Sequence, residues 1–131
     1  MKKIFIWSIL GISCWILLNG CAAQKQLYYF GDYSNTLYMN EKFHDEESLL
    51  KHKQELEQII SESENRKMSV PPGIYAELGF LNLKSNNTKE AIMLFQTEAK
   101  IYPESKFLMD RLIQMANKKD SRSSEVSSST E

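Results

Sequence analysis

Residues 72–105 read PGIYAELGFLNLKSNNTKEAIMLFQTEAKIYPES, and this stretch decides the fold. Apolar residues recur at helical spacing on both sides of the central SNN, which is typical of helices with one buried face. Pro-Gly precedes the first run and Pro103 closes the second, and both are signals of helix ends. The stretch therefore predicts two helices joined by a short turn.

The spacing within this stretch resembles the tetratricopeptide pattern of an aromatic residue, Leu-Gly, Ala-x3-Phe and Pro. The matching residues are Tyr75, Leu78, Gly79, Ala91, Phe95 and Pro103. Two small residues allow the helices to approach closely, three large ones fill the surrounding space, and the proline stops the second helix. Asn82 and Glu98 stand where the pattern has Tyr and Ala. An unrelated close helical hairpin is the alternative.

One repeat of this kind cannot bury both of its faces, so further helices must cover it. Asp45 and the two glutamates after it predict the start of a preceding helix. A later apolar run that includes Leu108 and Met115 predicts another helix, which ends near residue 117. We therefore expect residues 45–117 to form an all-α domain, a small tetratricopeptide-like helical hairpin with capping helices.

The N-terminus has the pattern of an export signal. Two lysines precede an apolar run over residues 4–18, which is short for a permanent membrane helix. The next residues, Leu18-Asn19-Gly20-Cys21, resemble a bacterial lipobox. We expect residues 1–20 to be a lipoprotein signal peptide and Cys21 to carry the lipid anchor. A plain signal peptide, or retention of residues 4–18 as a membrane anchor, is the alternative.

Ala22 follows the lipobox cysteine. In enteric-type bacteria an Asp at this position tends to retain a lipoprotein in the inner membrane, so Ala22 favours the outer membrane. We expect the folded part to face the periplasm. Cys14 would be removed with the signal peptide, so the processed chain would have no second cysteine for a disulfide.

Five aromatic residues crowd the stretch YYFGDYSNTLY, residues 28–38, which we call the aromatic stretch: Tyr28, Tyr29, Phe30, Tyr33 and Tyr38. Its turn-forming residues and lack of a clear period predict that residues 21–44 form a lipidated N-terminus and an irregular aromatic strap. The rings could pack over the hairpin, or those of Tyr28, Tyr29, Phe30 and Tyr33 could dock a partner. A platform for carbohydrate is the third possibility.

The first helix of a tetratricopeptide hairpin lines its concave side, and that likeness implies that Ala76, Phe80 and Leu83 face a ligand. Phe80 and Leu83 are apolar enough to bind a protein partner, although a neighbouring element could cover them instead. The C-terminal residues 118–131 are rich in serine, and we expect a disordered tail there. A formal net charge of -1 and the lack of a basic cluster argue against nucleic acid as a partner.

The sequence shows no pattern of catalysis. His44 and His52 lie about two helical turns apart, too far to share a metal easily, and there is no nucleophile triad or phosphate-binding glycine loop. We expect neither an enzyme, a metal site, a cofactor nor a small-molecule substrate.

The chain as a whole resembles a family of small bacterial outer-membrane lipoproteins of uncharacterised function. The residues that carry the resemblance are YYFGDYS (28–34), LY (37–38), PPGIYAELG (71–79), PES (103–105) and FLMDRLI (107–113). Phe30 stands where the family usually has Trp. The family often occurs beside a curli-secretion-channel-type lipoprotein, which implies a shared envelope complex.

These observations predict a membrane-anchored lipoprotein that acts as a protein–protein adaptor or assembly factor with envelope lipoproteins of the curli-secretion-channel type. The alternative is a peptidoglycan-associated regulator of a cell-wall synthase or hydrolase.

Overall fold

The computed structural model describes residues 26–128, which form five α-helices and a short 3-10 helix. The helices are α1 (Tyr33–Phe43), α2 (Glu46–Asn65), α3 (Ile74–Lys84), α4 (Thr88–Ile101) and α5 (Lys106–Ser128), with the 3-10 helix over Pro103–Ser105. The expectation of an all-α fold is confirmed. The expected signal peptide and the lipidation site Cys21 lie outside the described residues.

Consecutive helices run antiparallel and stack side by side. The Asp32 N–H, just before α1, donates to Glu55 in the middle of α2, and Thr36, further along α1, contacts His52, which precedes Glu55. The two helices therefore run in opposite directions. One apolar core joins α2 to the α3–α4 hairpin: Leu56, Ile59, Val70, Ile74, Tyr75, Leu78, Leu81 and Leu94. A second core joins the hairpin to α5: Leu83, Ala91, Phe95, Met109 and Ala116. Helix α3 therefore has neighbours on both sides.

The hairpin has the close contact that the spacing predicted. A Cβ added to Gly79 would lie 2.7 Å from a Phe95 ring carbon and 3.2 Å from the Ala91 carbonyl oxygen. Tyr75, Leu78, Gly79, Ala91 and Phe95 are all buried, and Pro103 follows directly after α4. The predicted scaffold residues therefore lie where the pattern places them.

The residues that break the apolar patterns are used for polar contacts. Lys53, which interrupts the apolar face of α2, donates through Nζ to Asn82 Oδ1 at 3.1 Å. Glu98 accepts a hydrogen bond from the Gly73 N–H at 2.8 Å, and this links the end of α4 to the start of α3. Such partners offset the cost of burying polar groups, but only one carboxylate oxygen of Glu98 has one, since Oε2 is buried without a hydrogen-bond partner among the described residues.

Helix ends match the expectations in one case and differ in another. The Asp45 side chain accepts from the Ser48 N–H at 2.7 Å and caps α2, as predicted. Hydrogen bonding by Ser48, by its side chain first and its backbone N–H second, holds the pKa of the Asp45 carboxyl below its usual value. The spacing of Asn87 and Glu90 predicts a capping box at the start of α4. This prediction is wrong, because the Asn87 side chain donates to Asn82 Oδ1 and does not cap the helix.

The prediction of an irregular strap is wrong over residues 33–43, which form helix α1. None of the residues of α1 is fully buried, so the apolar pattern that identifies an amphipathic helix is weak there. Contacts with α2 and α3 hold the helix instead, and tertiary contacts of this kind override local propensity.

Two expectations for the last helix are also wrong. Helix α5 continues to Ser128, because neither Pro nor Gly interrupts it, and Lys119 Nζ donates to the Leu83 carbonyl oxygen at 2.8 Å. The apolar face expected over Leu108, Leu112, Met115 and Ala116 is wrong for Leu108 and Met115, which are exposed, and Met109 is buried instead. Leu112 and Ala116 do pack in the second apolar core, as expected.

Candidate partner-binding site

The aromatic stretch is held against the helices at one end of the stack. Tyr28 pairs with Ser69 in an isolated parallel bridge. Glu55 Oε1 accepts from the Asp32 N–H at 2.7 Å, and Gly31 has a positive φ of 48° beside this carboxylate. A Cβ at Gly31 would lie 2.1 Å from Glu55 Oε1, so only glycine fits this contact without a shift.

The rings of Tyr29 and Tyr33 are largely used for packing. Both pack against the first apolar core, and the Arg66 guanidinium lies 4.1 Å from the centre of the Tyr29 ring. The Tyr33 hydroxyl donates to Glu77 Oε2 at 2.8 Å. Burial, and next this bond to a carboxylate, raise the pKa of Tyr33 to about 12. These two rings therefore favour the packing role over the docking role.

A buried polar network joins α1, α2 and α3 beneath the aromatic stretch. His52 is fully buried, with Nε2 2.9 Å from Glu77 Oε1 and Nδ1 3.0 Å from Thr36 Oγ1. Since an ionised carboxylate only accepts, the Nε2–H group of His52 donates to Glu77. With the Tyr33 bond, both oxygens of Glu77 have partners.

Sequence reasoning weighed His52 only as a metal ligand and therefore missed this network. A signal was present, because His52 lies at helical spacing from the buried residues Leu56 and Ile59. The carboxylate partner lies 25 residues away and could not be inferred from the spacing. The geometry shows a satisfied structural link between three helices.

The three residues predicted for the concave side differ in exposure, and Ala76 is partly buried against the second apolar core. Phe80 is 42% exposed, and it is the one large apolar side chain of α3 that is not buried. Lys84 Nζ lies 4.9 Å from the centre of its ring. The expectation that Leu83 faces a ligand is wrong, because Leu83 packs in the second apolar core beneath α5.

The other predicted docking residues also differ in how far they are exposed. Tyr28 is half-buried and Phe30 is exposed, with the two ring centres 6.2 Å apart in an edge-on arrangement. Tyr38 and Phe43 on α1 are exposed, and Lys42 Nζ lies within 5.6 Å of both ring centres. Accessible aromatic rings beside lysines therefore occur on both α1 and α3.

A cleft of about 530 Å³ lies between α1 and α2. Apolar side chains of Met39 and Phe43 line it together with polar ones of Asn35, Glu55 and Gln58. Such a mixture can hold a ligand that has both apolar faces and hydrogen-bonding groups. Within residues 26–128, no group of three or more His, Cys, Asp or Glu residues is placed to bind a metal ion.

The helices and surfaces together define a small all-α protein in which a central helical hairpin is flanked by a helix pair and a terminal helix, with exposed aromatic residues on α1 and α3. The chain belongs to the family described as "Domain of unknown function (DUF4810)", which matches residues 27–112. The match extends from the aromatic stretch into α5. The expected membership of an uncharacterised family is confirmed. No curated protein and no solved structure matches the chain.

None of the described helices combines the length and the apolar character needed to cross a membrane.

Proposed function

We propose that this chain is a lipid-anchored adaptor of the bacterial envelope that binds a protein partner through Phe80 and the surface around it. The observation that carries the proposal is the exposure of Phe80 on a helix whose other large apolar residues are buried. A partly exposed aromatic ring on a rigid helix is a favourable centre for a binding hot spot, because burying it orders few degrees of freedom.

The charge near Phe80 limits the chemistry of the partner surface. Lys84 lies beside the ring, and the side chain of Glu77, one turn earlier, is occupied by bonds to His52 and Tyr33. The charged group that contacts the Phe80 ring is therefore a cation. A partner with an apolar pocket bordered by carboxylates would complement this surface. The family resemblance favours an envelope lipoprotein of the curli-secretion-channel type.

The proposal is tested by crosslinking in cells, followed by recovery of the tagged chain in mild detergent and identification of bound proteins by mass spectrometry. We expect Phe80→Ala to reduce recovery of the partner by about tenfold or more, as truncation of a hot-spot aromatic does. Phe43→Ala is the matched control, since Phe43 is also an exposed ring beside a lysine. Equal recovery with both variants would contradict the proposal.

Lipid anchoring is tested separately by Cys21→Ser. We expect this change to move the protein from the membrane fraction to the soluble fraction, because it removes the only thiol available for acylation in the processed chain. Circular dichroism of the released protein should still show the helical domain, since the described helices begin at Tyr33. Retention in the membrane fraction of a chain that has lost residues 1–20 would contradict lipidation at Cys21.

The second candidate function is a peptidoglycan-associated regulator, and the cleft between α1 and α2 is the observation that favours it. Glycans are commonly held by an apolar surface flanked by carboxylate and amide groups, and Met39, Phe43, Glu55 and Gln58 provide both. Sedimentation with purified sacculi distinguishes the two candidates. Binding that Phe43→Ala weakens and Phe80→Ala leaves unchanged would favour the regulator over the adaptor.

A further inference from the structure

The described chain starts at the end of the helix stack that carries the aromatic stretch, since Tyr28 pairs with Ser69 and the Tyr102 hydroxyl donates to the Val70 carbonyl oxygen. Because consecutive helices are antiparallel, the first turns of α1, α3 and α5 share this end, which we call the anchor end. Residues 33 and 43 mark the two ends of α1, about 15 Å apart.

Four residues lie between Cys21 and Gln26, the first described residue, so five Cα–Cα steps join the two. Five such steps span at most about 18 Å even when fully extended. An acyl group on Cys21 would therefore hold the anchor end close to the lipid surface, whatever course these residues take. This step rests on the lipidation in the proposed function.

Large apolar side chains are exposed at this same end. Leu27 is 70% exposed, Phe30 47% and Phe107 74%. Each is within two residues of a contact that places it there. Leu27 precedes Tyr28, and the Phe30 ring lies against that of Tyr28. Phe107 is two residues after Ser105, whose hydroxyl donates to the Tyr102 carbonyl oxygen. Three apolar side chains from two distant parts of the chain therefore lie at the anchor end.

Cations at the anchor end lie beside aromatic rings. The Arg66 guanidinium is over Tyr29, and the Arg111 guanidinium lies 5.1 Å from the centre of the Phe107 ring. Long cationic side chains beside aromatic rings are typical of proteins at the membrane interface. Exposed charges of both signs are also near this end, Glu64 and Glu104 with Lys67 and Lys106, so apolar burial is the main source of affinity.

We infer that the anchor end is a membrane-contact face, in which Leu27, Phe30 and Phe107 enter the headgroup region of the bilayer that holds the lipid anchor. The helices then stand on the membrane by this end. Phe43 and the far ends of the helices point away from the lipid, and the ring of Phe80 stays accessible to a partner from the side.

The test uses the full lipidated chain in vesicles of phosphatidylethanolamine and phosphatidylglycerol, with and without nitroxide-labelled lipid. Both tryptophans of the sequence, Trp7 and Trp15, precede Cys21, so the processed chain would have none. Phe30→Trp and Phe107→Trp place a probe at the anchor end, and Phe43→Trp places the matched probe at the far end. All three sites are exposed, so each variant is expected to fold.

We expect nitroxide lipid to reduce the emission of the Phe30→Trp and Phe107→Trp variants by about twofold, since interfacial side chains lie about 5–10 Å into the headgroup boundary. The Phe43→Trp variant should change little. Little quenching at the first two sites, or equal quenching at all three, would overturn the inference. Tryptophan emission of these two variants that shifts to shorter wavelength without quenching would also overturn the inference, because the probes would then be buried by a protein and not by lipid. Failure of the chain to enter vesicles with an acyl group would instead overturn the lipidation on which this inference rests.

Discussion

Phe95→Ala is expected to lower the free energy of unfolding by about 3–5 kcal/mol. The Phe95 side chain is fully buried between α3 and α5, and its ring lies directly against Gly79. The cavity left by the ring cannot collapse easily, because both helices of the hairpin are held at their ends by the Gly73–Glu98 and Asn82–Asn87 hydrogen bonds. Urea unfolding followed by circular dichroism measures the change.

Gly79 supplies the matched test of the same contact. Gly79→Ala should lower the free energy of unfolding by about 1–3 kcal/mol, since the added methyl group would overlap the Phe95 ring. In a chain that already carries Phe95→Leu, the same change should cost less, because the smaller side chain leaves space. A Gly79→Ala change that stabilises the wild-type chain, as helix propensity alone predicts, would show that the close packing is not as described.

His52→Ala is expected to lower the free energy of unfolding by about 2–4 kcal/mol, the second large effect. The change removes a fully buried side chain, and it removes the bonds that Glu77 Oε1 and Thr36 Oγ1 make to His52. Because this network joins α1 to the hairpin, hydrogen exchange should increase most in residues 33–43. The reason is that α1 has no fully buried residue of its own.

Lys51→Ala is the control for His52→Ala, since Lys51 is the preceding residue on the same helix and its exposed side chain bonds only Glu47. We expect no resolvable change in the urea concentration at half-unfolding, because an exposed ion pair of this kind contributes little to stability. If the two variants unfold at the same urea concentration, or if exchange in residues 33–43 is unchanged in His52→Ala, the network does not hold α1. A Glu77→Gln variant should have an intermediate effect, because it keeps the shape and one acceptor.

Predictions from the sequence succeeded where the determinants lie close together in the chain. The α3–α4 hairpin depends on Gly79, Ala91, Phe95 and Pro103, whose spacing within one repeat already implies that they meet. The Asp45 cap is a contact over three residues. The predictions failed for α1, which has a weak pattern of its own and is held by contacts 16 to 44 residues away.

The accessible surface was the hardest feature to predict. Phe80 and Leu83 both appeared apolar and accessible, but only the position of α5 decides which one remains exposed. The orientation of α5 likewise exposes Leu108 and buries Met109. Neighbouring apolar residues of similar character give no sequence signal that separates them, since the choice depends on how one helix turns against another.

The sequence by itself determined the all-α class, the central hairpin and its close crossing, because helical periodicity, small residues and prolines act over short distances. Only the tertiary structure decided that the aromatic stretch runs into a helix, that His52 lies in a buried network with Glu77, and that Phe80 stays exposed. These outcomes depend on contacts between distant segments, and their energies arise only when the helices pack together.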